Sequence, residues 1–402
     1  MAESPDHFHE NAYSNIFRFY AERVKLASMN KGIEELLTRG VSEVIDKEHL
    51  KKRLFSGEKL RVKLGIDPTS PSIHIGRAVQ LLKLRAFQDM GHTAVFIVGD
   101  FTGTVGDTSD KDSERPMLSK EQIYANMQTY LDQAFKILDK DKTETYYNSE
   151  WLAELGYAEI YRMAHLFSVH EFSEREVIAR RLGTGQRVSM VEMIYPLMQG
   201  YDSVAVKADV ELGGTDQRYN LLAGRKIQPI YNQEPQDIMM IDLLEGTDGR
   251  KMSSSWGNVI TVMEESNNMY GKVMSIKDDL IRKYFQLCTR LSMLEVEKIL
   301  SSHPKEAKMR LAYEITKIYH GEKVAEETEK NFVETFSKGG VPKGIPIVKV
   351  KTGTPLVEIL LEQGLVASKS EFNRLEKAGA IKEIENGVYR VGKHRFLKIE
   401  QI

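Results

Sequence analysis

Residues 61–76 read RVKLGIDPTSPSIHIG, and this stretch decides the fold of the chain. It begins with an apolar strand at Val62–Ile66, turns at a proline-rich segment, and enters a helix that runs from His74 to Met90. A second apolar strand follows at Thr93–Val98. A strand, a helix and a strand at this spacing predict a right-handed βαβ unit, and therefore a parallel sheet.

The pattern of hydrophobic residues divides the rest of the chain into further units. Residues 1–58 are predicted to be an N-terminal helical extension, because apolar residues recur there at helical spacing: Ile33, Leu36, Leu37, Val41, Val44, Ile45 and Leu50. Residues 59–265 are predicted to form a Rossmann-like α/β domain with a mostly helical insertion at about 120–200. Sheet-like segments return at Ser203–Leu212 and Asp237–Ile241.

Three units are predicted beyond the α/β domain. Residues 266–335 have helical patterns, and residues 336–355 are rich in Gly, Pro and Lys, which is typical of a linker. Residues 356–402 alternate short helical and strand-like segments and predict a small α+β domain.

Composition excludes several classes of protein. The 402 residues carry a net charge of −2, so a global basic surface for nucleic acid is absent, and any RNA contact must be local. A single cysteine, Cys288, excludes an internal disulfide and a cysteine-built zinc site, and no metal site is predicted. No apolar run approaches the ~18 residues of a membrane span, and residues 1–31 do not resemble a signal peptide, so we expect a cytoplasmic protein.

Two short strings have the chemistry of a triphosphate site. His74 opens a helix directly after a strand and a tight turn, where free N–H groups and the helix dipole attract phosphate, and Gly76 lets a nucleotide approach the backbone. The string Lys251-Met252-Ser253-Ser254-Ser255 lies between two glycines and predicts a cationic loop. A simple helix cap and a polar surface turn are the alternatives for the two strings.

A third string predicts a pocket for an amino acid. In YPLMQGYD, residues 195–202, helical spacing places Tyr195, Gln199 and Asp202 on one face. The first two can bind an ammonium group and Asp202 can accept a phenolic proton. The alternative is a helix with a polar stripe. In ELGGTDQ, residues 211–217, the glycine pair permits close approach of a nucleotide, or forms only a turn.

The string at His74 and the string at Lys251 together resemble the two signature sequences of the class I aminoacyl-tRNA synthetases. The 61–76 and 195–202 strings resemble the tyrosyl-tRNA synthetase family. The resemblance implies that Mg-ATP activates L-tyrosine and that tRNA(Tyr) then receives it. It implies catalytic contacts from Thr69, His74, Lys111, Arg115 and Lys251. The implied ATP-binding residues are Gly65, Asp67, His74, Gly76, Arg77, Gly214, Asp216, Lys251 and Ser254.

The same resemblance implies a set of tyrosine-binding residues: Lys63, Thr102, Asp107, Tyr195, Gln199, Asp202 and Gln217. Three positions depart from the family pattern. Arg77 replaces a histidine, Ser254 stands where a second lysine is common, and Lys63 stands where many relatives have a phenol-binding tyrosine. We expect Lys63 either to turn outward or to reach the phenol oxygen.

The tail resembles a small RNA-binding domain first described in a ribosomal protein. Residues 351–402 hold nine Lys and Arg against seven Glu, and the candidate RNA contacts are Lys369, Arg374, Lys377, Lys393 and Arg395. The resemblance further implies an anticodon-binding role for the helices at 266–335, and a homodimer. The alternatives are a docking module for the tail and, for the whole chain, a tryptophanyl enzyme, a nucleotidylyltransferase or a non-catalytic RNA-binding descendant.

Overall fold

The computed structural model describes residues 29–107, 117–337, 345–366, 368–385, 387–392 and 395–401. These form two compact units, one of residues up to 263 together with 276–298, and one of residues 264–275 together with those from 299 onward. Each unit is built on its own sheet.

Ten strands form the two sheets. Their bounds are β1 Val41–Ile45, β2 Arg61–Ile66, β3 Thr93–Val98, β4 Thr143–Tyr147, β5 Val210–Gly214, β6 Asp237–Ile241, β7 Ile347–Val350, β8 Ile381–Glu385, β9 Val388–Val391 and β10 Arg395–Gln401.

Nineteen α-helices lie in the described residues. Their bounds are α1 29–38, α2 Lys47–Ser56, α3 Ile75–Asp89, α4 Thr102–Val105, α5 Lys120–Met127, α6 Tyr130–Ala134, α7 Ser149–Leu152, α8 Tyr157–Ala164, α9 Val169–Ser173, α10 Glu176–Gly183, α11 Met190–Ala205, α12 Arg218–Ile227, α13 Ser266–Met274, α14 Ile281–Cys288, α15 Met293–Leu300, α16 Pro304–His320, α17 Glu322–Ser337, α18 Leu356–Glu362 and α19 Lys369–Lys377.

The sheet of the first unit has the strand order β1-β6-β5-β2-β3-β4. All neighbours are parallel except β1 and β6, which pair antiparallel. The chain runs outward from β2 through β3 to β4 and then returns to β5 on the other side of β2. This reversal of direction leaves a crevice at the carboxyl ends of β2 and β5, where ligands bind in open α/β sheets.

The predicted βαβ unit is present as β2, α3 and β3. Strand β3 is fully buried from Ala94 to Val98, as a central parallel strand covered on both faces requires. Burial of each large apolar side chain contributes about 1.5–3 kcal/mol before the cost of ordering it. Helix α3 ends before Gly91, whose φ of 96° is a left-handed conformation that glycine adopts readily.

Two strands of this sheet lie where the sequence predicted helices. Val41–Ile45 is the edge strand β1 rather than part of a helical extension, because its β-branched residues pair with β6. Thr143–Tyr147, inside the stretch predicted to be a helical insertion, is the parallel edge strand β4. Its residues are all half-buried, and this polar edge strand lacks the apolar run that marks β3.

Two other predicted boundaries are also wrong. The segment Ser203–Leu212 is not one strand: α11 continues to Ala205, and only Val210–Gly214 is β5. Helix α17 and strand β7 both enter the predicted linker at 336–355, and β7 pairs with β10. The helices predicted over 268–335 are found, although residues 276–298 group with the first unit.

The end of the second unit is a small α+β arrangement with the strand order β7-β10-β9-β8. Helices α18 and α19 pack their apolar side chains against this sheet. Its buried core consists of Ile359, Leu360, Val366, Phe372, Val391 and Leu397. This confirms the α+β pattern predicted for the tail.

Within the described residues, every helix is too short or too polar to cross a membrane.

Candidate active site

A pocket lies in the first unit, at the crevice between the carboxyl ends of β2 and β5. Most of the residues predicted to bind ATP or tyrosine line it. These are Gly65, Asp67, Thr69, His74, Gly76, Arg77, Thr102, Asp107, Tyr195, Gln199, Asp202, Asp216, Gln217, Lys251 and Ser254. Gly213 lines the pocket in place of the predicted Gly214, and Lys63 lies outside the lining.

His74 caps the N-terminus of α3 and is held as a neutral donor. Its Nδ1 accepts a hydrogen bond from the backbone N–H of Arg77 at 3.3 Å, which assigns the ring proton to Nε2. Burial lowers its pKa to about 3, and the charges of Arg77 and Lys251 act in the same direction. The imidazole therefore offers an N–H group to an anion without carrying a charge itself.

Arg77 braces the turn that precedes α3. Its guanidinium donates to the main-chain oxygen of Asp67 at 3.2 Å and to Oγ1 of Thr69 at 3.4 Å. The hydroxyl of Tyr130 donates to the main-chain oxygen of Ser70 at 2.7 Å, so helix α6 fixes the same turn. Arg77 thus holds Thr69 in place and lines the pocket.

The cationic loop contacts the predicted ribose site directly. Nζ of Lys251 lies 2.8 Å from Oδ2 of Asp216, and both side chains are partly exposed. Sδ of Met252 accepts a hydrogen bond from the N–H of Gly76 at 3.3 Å, which fastens the loop to the start of α3. Ser254 is exposed at the pocket edge. Gly76 and Met252, which are 176 residues apart in sequence, therefore meet at one site.

Asp67 is a half-buried carboxyl that lines the pocket and has a donor on each oxygen. Oγ1 of Thr102 donates to Oδ1 at 2.7 Å, and the hydroxyl of Tyr195 donates to Oδ2 at 2.8 Å. Burial raises the pKa of Asp67 to about 6, against the effect of these two bonds. Gly99 is required beside it, because a Cβ there would collide with the carboxylate and with the hydroxyl of Thr102. The hydroxyl of Tyr195 therefore helps to fix the orientation of the Asp67 carboxylate.

Asp202 lies buried on helix α11, and both of its oxygens are hydrogen-bonded. Nε1 of Trp151 donates to Oδ1 at 2.8 Å, and Nδ2 of Asn148 donates to Oδ2 at 3.2 Å. Burial raises its pKa to about 7, and the positive charge of Lys63 and the two donors oppose that rise. A buried acceptor of this kind suits a phenolic hydroxyl.

The expectation for Lys63 is wrong in both of its forms. The side chain neither turns outward nor lines the pocket, because it is fully buried and paired with Glu211 at 2.9 Å. Strands β2 and β5 place the two residues side by side as register partners. A lysine at this position is stable only with such a partner, since a buried unpaired charge is very costly.

Asp107 and Gln217 meet at the other side of the pocket. Nε2 of Gln217 donates to Oδ2 of Asp107 at 2.5 Å, and Nδ2 of Asn220 donates to Oδ1 at 3.3 Å. The prediction that they belong to one pocket is thus consistent with their positions, while their roles stay predictions.

Three predicted residues, Lys111, Arg115 and Lys393, lie outside the described residues. Lys369, Arg374 and Lys377 are exposed on α19. The guanidinium of Arg395 donates to the main-chain oxygen of Leu365 and lies 3.4 Å from Glu371. Arg395 therefore has a structural role within the small domain.

Two residues that contact Asp202 were missed in the sequence. Asn148 and Trp151 follow strand β4, and the carboxyl end of a parallel strand is where ligand-binding side chains gather. Because β4 was not recognised as a strand, nothing in the sequence marked the residues after it as ligand-binding candidates. Of the two, Asn148 also lines the pocket.

The parallel sheet, the helix-capping histidine and the cationic loop define a class. The chain belongs to the family of tRNA synthetases class I (W and Y), whose model matches residues 56–337. Within that family its relatives are tyrosine–tRNA ligases. The protein so named from Thermotoga maritima is 44% identical over 386 residues, covering 91% of this chain and 96% of the relative. The one from Nitratidesulfovibrio vulgaris is 44% identical over 388 residues, covering 91% and 97%.

Solved structures agree on the fold. The C-terminally truncated mitochondrial tyrosyl-tRNA synthetase of Aspergillus nidulans matches with a TM-score of 0.66 and 20% identity, covering 79% of this chain and 100% of that one. The tyrosyl-tRNA synthetase of Archaeoglobus fulgidus, solved with L-tyrosine, matches with a TM-score of 0.60 and 22% identity, covering 75% and 99%. The predicted Rossmann-like fold and the predicted family are confirmed.

Proposed function

We infer that this chain is a tyrosine–tRNA ligase, which activates tyrosine with ATP and transfers it to tRNA(Tyr). The observation that carries this function is Asp202, a buried carboxyl with neutral donors on both oxygens in a pocket that also holds His74 and Lys251. One pocket thus combines an acceptor for a phenol with donors for a triphosphate. The relatives' names point to the same substrate.

In the first step, an oxygen of the tyrosine carboxylate attacks the α-phosphorus of ATP. The bond from that phosphorus to the bridging oxygen breaks, and pyrophosphate leaves with the electron pair. ATP enters as its Mg²⁺ complex, so the metal belongs to the substrate. The product is tyrosyl-adenylate, a mixed anhydride.

The side chains stabilise charge and position the reactants. Neutral His74 donates from Nε2 to a phosphate oxygen, and Lys251 supplies a cation once it leaves Asp216, whose carboxylate then becomes available to ribose hydroxyls. Thr69, held by Arg77, is placed to donate to a phosphate oxygen as well. Since the attacking group is the substrate's own carboxylate, no covalent enzyme intermediate is required.

In the second step, a hydroxyl of the terminal ribose of tRNA attacks the tyrosyl carbonyl carbon. The bond from that carbon to the phosphate oxygen breaks, AMP leaves with the electron pair, and the attacking hydroxyl gives up its proton to water. The driving force is the anhydride formed in the first step. The helices at 266–335 and the tail are proposed to bind tRNA, with Lys369, Arg374 and Lys377 offering exposed positive charge on α19.

Tyrosine is favoured over tryptophan as the substrate. An indole N–H could donate to Asp202, but Trp151 of the protein already donates an indole N–H to it, and the relatives are named for tyrosine. The charged acceptor selects against phenylalanine, because a site built for a hydroxyl leaves a buried polar group unpaired when that hydroxyl is missing; tyrosine-activating enzymes are the known example.

We propose that two copies of the chain associate. Large apolar side chains that are exposed concentrate on helices α8 to α11, namely Tyr157, Tyr161, Val169, Leu182, Met190, Val191 and Ile194. Such surfaces commonly mark an interface. Light scattering of the purified chain tests this, and a monomer at micromolar concentration would contradict it. The cytoplasm, where tRNA is charged for translation, is the proposed location.

The function is tested by ATP–pyrophosphate exchange with tyrosine, tryptophan and phenylalanine in parallel, followed by charging of tRNA(Tyr). Tyrosine should support exchange far better than the other two. Exchange that depends on tryptophan would establish the other branch of the family, and no exchange with any of the three would establish a non-catalytic descendant.

A further inference from the structure

A buried ion pair lies next to the tyrosine end of the pocket without lining it. Lys63 on β2 and Glu211 on β5 are register partners, their Nζ and Oε1 atoms are 2.9 Å apart, and each side chain is 1% exposed. Neither residue contributes to the pocket surface, whereas Gln199 and Asp202 of helix α11 do.

The polar atoms of this pair are hydrogen-bonded to neighbouring buried and half-buried groups. Nζ of Lys63 also donates to the main-chain oxygen of Gln199 at 2.9 Å and to Oγ of Ser203 at 2.7 Å. Oε2 of Glu211 accepts from Oγ of Ser203 at 3.2 Å and from Nε2 of Gln236. Because apolar replacements of buried ion pairs are often neutral or stabilising, stability alone does not explain this arrangement.

The pair fixes the orientation of the Gln199 amide. Nε2 of Gln199 donates to Oε1 of Glu211 at 3.0 Å, and a carboxylate can only accept, so the amide cannot flip without losing this bond. The amide oxygen of Gln199 is then the atom left for the pocket. An oxygen acceptor is what the ammonium group of an amino acid requires.

The pair also sets the charge environment of Asp202. Lys63 favours the ionised carboxylate, while Glu211, on the neighbouring strand, opposes ionisation more weakly. The groups hydrogen-bonded to the Asp202 carboxylate in the described residues, Trp151 and Asn148, are neutral donors. Lys63 therefore supports binding of the phenol without touching it, because it favours the ionised form of Asp202.

We propose that Lys63 and Glu211 are positioning residues for tyrosine recognition, which hold the Gln199 amide oxygen towards the pocket and keep Asp202 a charged acceptor. This inference rests on the proposed activation of tyrosine. Lys63 would then contribute to substrate selection through Gln199 and Asp202, without touching the substrate.

The test compares two buried ion pairs that both involve helix α11. The Lys63→Met/Glu211→Gln variant removes the proposed pair. The matched control, Arg181→Met/Glu192→Gln, removes a pair with a 2.6 Å contact and side-chain exposures of 1% and 4%, which does not line the pocket. Pyrophosphate exchange then gives KM for tyrosine, KM for ATP and kcat for both variants and for the wild type.

We expect KM for tyrosine to rise about tenfold or more in the Lys63/Glu211 variant, as the loss of one charge-assisted hydrogen bond would produce. KM for ATP should stay within about twofold, and the control should match the wild type. The pH midpoint of kcat/KM for tyrosine should move upward in Lys63→Met alone, because Asp202 loses the positive charge that favours its ionised form. A purely structural role would not move that midpoint.

Equal tyrosine KM values in the two double variants, with an unmoved pH midpoint in Lys63→Met, would overturn the proposal. Circular dichroism establishes that each variant is folded. If the double variant does not fold, Glu211→Gln alone carries the same comparison, since it keeps the side-chain shape, removes the charge that pairs with Lys63 and lets the Gln199 amide flip. A wild type without tyrosine-dependent exchange would instead refute the proposed function itself.

Discussion

At the tyrosine end of the pocket, Lys63 and Glu211 pair at 2.9 Å with 1% of each side chain exposed, whereas at the nucleotide end Lys251 and Asp216 pair at 2.8 Å with 33% and 22% exposed. The distances are nearly equal, but the surroundings differ. A partly exposed pair contributes about 0–1 kcal/mol. Lys251 can therefore leave Asp216 for a phosphate, and Asp216 can bind ribose instead, at little cost in free energy. Separating the buried pair would leave two uncompensated charges.

This difference separates two tasks. Recognition of the amino acid depends on groups that are fixed before the substrate arrives, which reduces the cost of ordering them on binding. Stabilisation of the departing pyrophosphate depends on groups that form new contacts as the reaction proceeds, and only contacts that strengthen in the transition state increase the rate. Substitutions at the two ends should therefore change different kinetic constants.

The largest expected effect is that of Lys251→Ala on adenylate formation. Loss of one charge-assisted contact of about 1.5–3 kcal/mol predicts a single-turnover rate about 10- to 150-fold lower, with tyrosine affinity unchanged. Arg250→Ala is the matched control, because Arg250 pairs with Asp248 and does not line the pocket. Normal activation by the Lys251 variant would show that the loop is only a turn.

Removing the tail should separate the two reaction steps. A chain that ends at residue 337 lacks all of β7–β10, whereas one that ends at Lys349 would cut through β7 and leave an unpaired strand. The shorter chain should form adenylate normally and charge tRNA about tenfold more slowly at physiological salt, because phosphate contacts are lost. Normal charging by this folded chain would contradict the RNA-binding role of the tail.

The pH dependence of tyrosine use should follow Asp202. Its pKa is raised to about 7, so the carboxyl is largely protonated below that pH and loses its charge as an acceptor. We expect kcat/KM for tyrosine to increase by up to about tenfold from pH 6 to pH 8, since this constant reports groups of the free enzyme. If kcat/KM for tyrosine in the wild type does not change between pH 6 and pH 8, Asp202 does not ionise in this range and the prediction is wrong.

Trp151→Phe should give the smallest effect. The ring still packs edge-on against Tyr146, whose centroid lies 6.0 Å away, but the donor to Asp202 is lost. Because Asn148 still donates to the carboxylate, the loss is about 0.5–1.5 kcal/mol, or about two- to tenfold in KM for tyrosine. The control is KM for ATP, and an equal rise in both constants would indicate general damage to the pocket.

The same contrast explains what the sequence could predict. Strands β2 and β3 and helix α3 were predicted because their signals are local: apolar runs, a proline turn and a capping residue. Helical spacing likewise placed Gln199 and Asp202 together on α11. The partner of Lys63 was not predicted, because Glu211 lies 148 residues away and only the register of two parallel strands joins them.

The sequence analysis also failed to predict the two edge strands, β1 and β4. In β4, TETYY has no apolar run, and in β1 the spacing of Val41, Val44 and Ile45 also fits a helix, so tertiary pairing decided both. Missing β4 meant missing Asn148 and Trp151, which hold Asp202. Missing an edge strand of the sheet therefore meant missing residues at the tyrosine end of the pocket. The strings at His74 and Lys251 were recognised without that strand.

The central claim is that the buried end of the pocket sets selectivity and the exposed end sets rate. The most direct test measures pyrophosphate exchange with tyrosine and phenylalanine in Asp202→Asn and Lys251→Ala side by side. Asp202→Asn should lower the tyrosine-to-phenylalanine ratio of kcat/KM by about tenfold or more at unchanged KM for ATP, because the charged acceptor is lost. Lys251→Ala should lower both rates and leave the ratio intact. A ratio that is unchanged in Asp202→Asn, or that falls equally in both variants, would contradict the account.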